Sequence, residues 1–192
     1  MKKEKIGFFG GCFNPPTNTH IDLANKLIKN EIIEKVIFVP VGNYYQKQNL
    51  ASAEDRYNML KIATDGYTNL GVEDIDVNSQ EKLYAVDTFK LIENKYPDKD
   101  IYFIMGADNF QKMPLWKNYN EIIKKYKFVV IERLKYSEVN NTNNNIIYYK
   151  TNPTVDISST QIRNMIACNK DTNQLLNKNV IEYIKNKKLY LT

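Results

Sequence analysis

GGCFNPPTNTH, residues 10–20, follows the apolar run Ile6-Gly7-Phe8-Phe9 and leads into the amphipathic stretch IDLANKLIKN. That order predicts a strand, a tight turn and a helix. Gly10 and Gly11 let main chain approach a ligand closely, and Pro15 and Pro16 stiffen the exit from the turn. With Thr17 as N-cap, His20 falls in the first helical turn. Both side chains then stand beside unpaired N–H groups and the positive end of the helix dipole, which suits a phosphate. No GKS or GKT follows and the spacing is not GxGxxG, so neither the Walker A loop nor the dinucleotide fingerprint is present. A ligand-free turn with a threonine cap is the competing reading of this stretch taken alone.

Working outward, the apolar β-rich runs Ile6–Phe9, Val36–Val39, Ile101–Met105 and Phe128–Ile131 read as strands, short and nearly continuous in hydrophobicity. Runs of that kind suit a parallel sheet buried on both faces. Helical patterns lie between them at Ile21–Lys29, Ala53–Thr64, Val86–Asn94 and Tyr119–Lys125. The alternation predicts right-handed βαβ crossovers and a doubly wound α/β sheet, with ligands beyond the carboxyl ends of the strands. A weaker strand is expected at Val72–Val77 and another at Ile146–Tyr149, after the polar tract NNTNNN that reads as a surface loop. Thr160–Cys168 and Val180–Lys185 read as helices. No repeat or linker divides the chain, so one domain spanning residues 1–192 is expected, with a small helical C-terminal part from about residue 157.

Hydrophobic residues at 43% and charged residues at 26% are ordinary for a soluble globular protein, and 192 residues can bury a substantial core. No run is long enough to span a bilayer and the N-terminal apolar stretch is too short for a signal peptide, so a cytoplasmic protein without membrane contact is expected. Cys12 and Cys168 cannot form a disulfide framework or a CxxC metal site. Cys12, with no base beside it, reads as a small filler residue. The net charge of +5 comes from lysines scattered among acids, which argues against a nucleic-acid stripe. Of the basic residues 24 are lysine and only 3 are arginine, Arg56, Arg133 and Arg163. Guanidinium geometry toward phosphate is poorly replaced by lysine, so each arginine is a candidate. The sequence specifies no oligomeric state.

DISSTQIRN, residues 156–164, is the second phosphate signal. Ser158 and Gln161 have capping-box spacing. A cap alone does not require Ser158, Ser159 and Thr160 in series, or Arg163 facing the same helix end. Hydroxyls, free helix N–H groups and a guanidinium together make an anion site.

GGCFNPPTNTH resembles the (H/T)xxH signature of the nucleotidyltransferase superfamily in its GGxFxPxTxxH form, and DISSTQIRN resembles the ISSTxxR motif of nicotinate and nicotinamide mononucleotide adenylyltransferases. The likeness extends over nearly the whole chain. PVGNYYQKQNLASAEDRYNML is similar to the segment after the second strand, with Lys47 as its lysine and Asp55 and Arg56 opening its helix. LYAVDTF is similar to SYTxDT, GADNFQKMPLWKNY to GxDxxxxxxxW, and NVIEYIKNKKLY to the closing helix. The resemblance implies a Rossmann-like doubly wound parallel sheet with a small helical C-terminal part.

It also implies adenylyl transfer from ATP to nicotinate mononucleotide, giving nicotinate adenine dinucleotide and pyrophosphate in NAD biosynthesis, with Mg²⁺ carried on the ATP phosphates and no dedicated metal cage. Gly10, Gly11, Cys12, Phe13 and Asn14 would contact ATP through backbone and side chain. Thr17, His20 and Lys47 would hold phosphates, with Arg163 and Ser159 assisting on the outgoing pyrophosphate and Ser158 and Thr160 among the ATP contacts. Gly106 and Asp108 would meet the adenylate portion, Asp108 accepting from ribose hydroxyls; as plain structure, Asp108 reads as a helix N-cap. Asn43, Tyr45, Lys47, Tyr84, Ala85, Thr88, Leu115, Trp116 and Arg133 would bind the mononucleotide, with Trp116 stacked on the pyridine.

Departures from the pattern bear on substrate choice. Thr17 stands where many bacterial nicotinate enzymes carry histidine, and Tyr44, Tyr45, Gln46 and Lys47 replace PPHK. Ala85 replaces the threonine of SYTxDT, leaving backbone N–H groups near Ala85 and around Trp116 to meet the carboxylate. Leu134 and Lys135 follow Arg133 where Pro-Gly is frequent. The alternatives are nicotinamide mononucleotide as preferred or equal substrate, another transfer such as that of pantetheine-phosphate adenylyltransferases or cytidylyltransferases, and a non-catalytic dinucleotide-binding regulatory module. Trp116 and LYAVDTF argue against the second, and Thr17, His20 and Arg163 against the third.

Overall fold

Buried side chains alternate along the strands between two faces, as period-two geometry requires. Phe9, Val36, Phe38, Tyr102, Ile104, Val129 and Ile131 face one hydrophobic cluster. Phe8, Ile37, Val39, Phe103, Met105, Phe128 and Val130 face the other. A sheet buried on both sides must be covered by helices on both. The computed structural model, which describes residues 2–45, 49–132, 143–150 and 158–191, shows that arrangement.

The strands are β1 (Lys5–Gly11), β2 (Lys35–Pro40), β3 (Leu70–Val72), β4 (Asp100–Gly106), β5 (Lys127–Ile131) and β6 (Ile146–Tyr149). All pair in parallel, in the order β3-β2-β1-β4-β5-β6. This is the Rossmann order, whose switch point lies at β1 between β2 and β4. The helices α1 (Asn18–Lys29) and α2 (Ala53–Thr64) cover the first face through Leu27, Met59 and Leu60. On the second face lie α3 (Ala85–Lys95), α4 (Ala107–Lys112), a 3₁₀ turn at Met113–Leu115, and α5 (Tyr119–Lys125), which bury Phe89, Phe110, Met113 and Ile122. The C-terminal helices α6 (Ser159–Ala167) and α7 (Lys178–Asn186) return to the first face through Ile162, Val180 and Ile184. No helix among the described residues is long and apolar enough to cross a membrane.

Two expectations are corrected. The weak strand does not occupy Val72–Val77: β3 ends at Val72, and Glu73 then turns the chain, its N–H still donating to the Phe38 carbonyl at 2.8 Å. Asp108 is not the N-cap of α4. Gly106 caps that helix and Asp108 sits in its first turn, where the helix dipole favours a carboxylate. Tyr148 and Tyr149 are half-buried on β6, and Tyr149 accepts a hydrogen bond from Asn30 at 2.8 Å.

Glu73 closes the sheet edge with a buried charge. Its carboxylate accepts from Lys95 Nζ and from the Tyr96 hydroxyl, each at 2.7 Å, and from the Asp74 N–H at 3.2 Å. Burial opposes its ionisation, yet the bonds from Lys95 and Tyr96 outweigh that penalty and hold its pKa below the ordinary value. A depressed carboxylate stabilises the fold above its unfolded value of about 4.3 and loses that contribution as pH falls through its folded value. Glu73→Gln should cost about 1–2 kcal/mol at neutral pH, a modest figure because the Lys95 partner is half exposed. Urea denaturation of both proteins should show the gap closing below about pH 4.

Candidate active site

α1 begins where expected, with Thr17 as N-cap and His20 three residues on. The Thr17 N–H donates to His20 Nδ1 at 3.0 Å, and the Thr17 hydroxyl lies 2.8 Å from the same nitrogen. A main-chain N–H can only donate, so Nδ1 is the acceptor and the proton resides on Nε2. Phe13 and Phe9 meet the imidazole edge-on, with centroids 5.2 and 6.2 Å away, and hold its plane. Phe13 has a left-handed backbone at φ 47°, uncommon without glycine, and its ring is buried in the core. What Phe13 can offer a ligand is therefore main chain.

Asn14 is buried and its side chain joins three segments. Nδ2 donates to the Asn49 carbonyl at 2.7 Å, while Oδ1 accepts from the Ala51 N–H at 3.0 Å and the Tyr190 hydroxyl at 2.7 Å. Its amide braces the turn against the chain's C-terminal residues. Burial, which outweighs the opposing charges of Arg163 and Arg56, pushes the Tyr190 phenol well above its ordinary range, so it remains a donor.

The two anion motifs meet. α6 opens with the expected capping box, Ser158 Oγ accepting from the Gln161 N–H at 3.3 Å and Gln161 Oε1 from the Ser158 N–H at 2.8 Å. Ser159 Oγ then donates to the Pro15 carbonyl at 3.2 Å and Arg163 to the Asn14 carbonyl at 2.9 Å, across a separation of 149 residues. A second guanidinium nitrogen reaches Thr160 Oγ1 at 3.2 Å. Arg163 is half-buried, and two of its five N–H donors are engaged in these contacts.

Arg56 behaves differently from the phosphate candidate it resembles. It is 1% exposed, and its guanidinium donates to the carbonyls of Ala51 at 3.0 Å, Cys12 at 2.9 Å and Val41 at 2.6 Å. Burial lowers its pKa while Cys12 and Tyr190 act in the opposite direction, and an arginine stays charged across such shifts. A planar trans peptide points its N–H opposite its C=O. The Phe13 and Gly42 amides therefore point away from the guanidinium.

Beside these loops lies a cavity of about 640 Å³, within the range of small-molecule sites. Its floor is the carboxyl ends of β1, β2 and β4, with Gly10, Gly11, Cys12, Val41 and Met105 among its lining. Its outer wall carries Tyr45, Tyr84, Ala85, Leu115 and Trp116, gathered from three separate loops. Thr88 lines it too, its hydroxyl donating to Asp76 Oδ1 at 2.7 Å; burial raises the Asp76 pKa against that bond. Gly42 permits the approach of this segment, since a Cβ there would collide with the Asp76 carbonyl. Asn43, expected at the mononucleotide, is not among the lining residues; its Oδ1 accepts from the Ala53 N–H at 2.7 Å at the start of α2. The Trp116 N–H donates to the Met113 carbonyl at 2.9 Å, so that amide is engaged within the 3₁₀ turn. Lys47 and Arg133 lie outside the described residues. Asp76, Tyr190, Lys82 and Lys117 were missed by sequence reasoning. Only the aromatic neighbours of the two lysines signalled them; Asp76 and Tyr190 sit in segments whose local pattern shows nothing of what they will touch.

The glycine turn at the switch point, the capped helices α1 and α6, and the cavity walled by aromatics come together on a Rossmann-like sheet where such folds bind nucleotides. A cytidylyltransferase-like family model matches residues 8–165. The "Probable nicotinate-nucleotide adenylyltransferase" of Lactococcus lactis subsp. lactis is 32% identical over 190 residues, covering 98% of this chain and 96% of that one. A protein of the same description from Maridesulfovibrio salexigens is 43% identical over 131 residues, spanning 67% of this chain and 61% of that relative's length. The solved "Plasmodium falciparum nicotinic acid mononucleotide adenylyltransferase complexed with NaAD" superposes with a TM-score of 0.80 over 97% of both chains at 20% identity, a likeness of fold. The chain belongs to the cytidylyltransferase-like family and, within it, to the nicotinate-nucleotide adenylyltransferases.

Arg56→Lys keeps the charge but cannot reach three carbonyls at once. It should lower stability by about 2–4 kcal/mol, read as a reduced urea midpoint at unchanged slope.

Proposed function

We propose that this chain transfers the adenylyl group of ATP to nicotinate mononucleotide, releasing pyrophosphate and nicotinate adenine dinucleotide. The observation that carries the reading is the junction of His20, Ser159 and Arg163 around the glycine turn, next to a cavity walled by Tyr84 and Trp116. The names of the full-length relatives support the same substrates.

The attacking oxygen belongs to a phosphomonoester whose second pKa is about 6, so it is largely dianionic at neutral pH and needs no general base. A new bond forms from that oxygen to the α-phosphorus as the bond to the β-phosphate bridging oxygen breaks, and the electron pair leaves on pyrophosphate. The protein's task is in-line alignment and stabilisation of charge on the moving oxygens. His20 donates through Nε2–H, its tautomer set by Thr17. Arg163 and the N-terminal amides of α1 and α6 add fixed positive charge. Asp108, in the first turn of α4, accepts from ribose hydroxyls, and Trp116 gives the pyridine a platform. Among the described residues no three His, Cys, Asp or Glu side chains group as a metal cage. Mg²⁺ accompanying ATP would supply charge neutralisation on the phosphate oxygens that hold it.

Pyrophosphate release should be measured side by side with nicotinate mononucleotide, nicotinamide mononucleotide and a pantetheine phosphate. Turnover with the pyridine nucleotides, nicotinate ahead, is expected; release with the pantetheine phosphate alone, or with none, would overturn the reading. His20→Ala should depress kcat by ~100-fold to ~1000-fold with a much smaller change in KM, because its bond strengthens as charge reaches the leaving oxygens. Steady-state kinetics check this, and near wild-type kcat would remove His20 from the mechanism.

A further inference from the structure

The outer wall of the cavity carries more positive charge than its floor. Lys82, Lys112 and Lys117 line it, and none of the three is in an ion pair among the described residues. Two of them are held in place: Lys117 Nζ lies 4.6 Å and Lys82 Nζ 5.1 Å from the centroid of the Tyr84 ring. Both distances are within cation–π range, so one aromatic ring gathers two ammonium groups in the lining that also holds Ala85 and Trp116. The acids in the same lining are Glu81, exposed at the rim, and Asp76, whose carboxyl is tied to Thr88 and whose ionisation burial opposes.

The two candidate pyridine substrates differ in the charge this wall would meet. The nicotinate ring carries a quaternary nitrogen and a carboxylate, net zero, and the nicotinamide ring carries the quaternary nitrogen alone, net positive. Ammonium groups at the wall attract the carboxylate of the first and repel the second. No side-chain hydroxyl is available at Ala85 and the Trp116 amide is engaged, and the charged donors that this wall offers a carboxylate are its lysines.

We infer that Lys117, with Lys82 beside it, is the specificity-determining cation that reads the nicotinate carboxylate. The inference rests on the reading of this cavity as a pyridine mononucleotide site. Tyr84 is a positioning residue here, its ring holding both ammoniums at the wall before substrate arrives. Discrimination is by charge, so added salt should erode it.

The test is kcat/KM for both mononucleotides in the wild type, Lys117→Met, Lys117→Arg and the double variant Lys82→Met/Lys117→Met. Both lysines are exposed and the substitutions keep side-chain length, so the fold is retained. Lys117→Met should lower kcat/KM for nicotinate mononucleotide by about fivefold to thirtyfold, with the nicotinamide value unchanged or raised and the KM for ATP unmoved. Lys117→Arg should keep most of the preference, and the double variant should lose more than the single. A preference ratio unchanged in the double variant would overturn the inference while leaving the proposed reaction standing. A wild type that adenylates neither mononucleotide would overturn both.

Discussion

A buried guanidinium makes the site possible. Arg56 is a full positive charge taken out of water with no carboxylate within ion-pair distance among the described residues, an arrangement that is costly unless its donors are matched. Three main-chain carbonyls match them, from Cys12, Val41 and Ala51. Each belongs to a different segment: the glycine turn after β1, the loop after β2 and the entry to α2. Because the guanidinium is planar and its donors diverge in fixed directions, it sets the spacing of those segments as well as their attraction. The glycine turn can then remain open to a ligand on one side because its carbonyl is satisfied on the other.

The same turn is secured from the far end of the chain. Arg163 and Ser159 hold the Asn14 and Pro15 carbonyls, and the Tyr190 hydroxyl holds the Asn14 side chain. Tyr183 donates to Asp55 at 2.9 Å, tying α7 to the helix that carries Arg56. The braced turn is thus assembled from residues near both termini, and it forms only when the C-terminal helices have packed on the first face of the sheet. Burial of Ile162, Val180 and Ile184 supplies the drive for that packing.

Electrostatically the site divides into two halves. On the proposed phosphate side, positive potential comes from fixed elements: helix N-termini, a braced guanidinium and an imidazole whose protonated nitrogen is dictated by a backbone N–H. Fixed donors need little reorganisation when charge moves, the condition for transition-state stabilisation. On the proposed pyridine side, the charges are lysines on flexible stems collected by an aromatic ring, an arrangement better suited to selecting a substrate than to moving electrons.

The chain's local pattern was enough for the elements with strong periodicity. α2, α5 and β6 lie where the hydrophobic spacing puts them, and Thr17 and Ser158 cap the helices their spacing indicates, because caps and alternation are short-range physics. That the glycine turn and the serine-threonine-arginine segment meet, through Ser159 and Arg163, is tertiary. Short β3 and the six-residue α4 were not legible, since elements of that length are stabilised by their neighbours more than by their own residues. Nor could local pattern say that Arg56 would turn inward to carbonyls while Arg163 stayed at the site, since both are arginines near helix starts. Their difference lies in burial, 1% exposure against a half-open position, which exists only once separate loops are brought together. Tertiary structure likewise decided that Asp76, Tyr190 and Lys117 belong to the site or its wall, because each acts through a partner distant in sequence: Thr88, Asn14 and Tyr84.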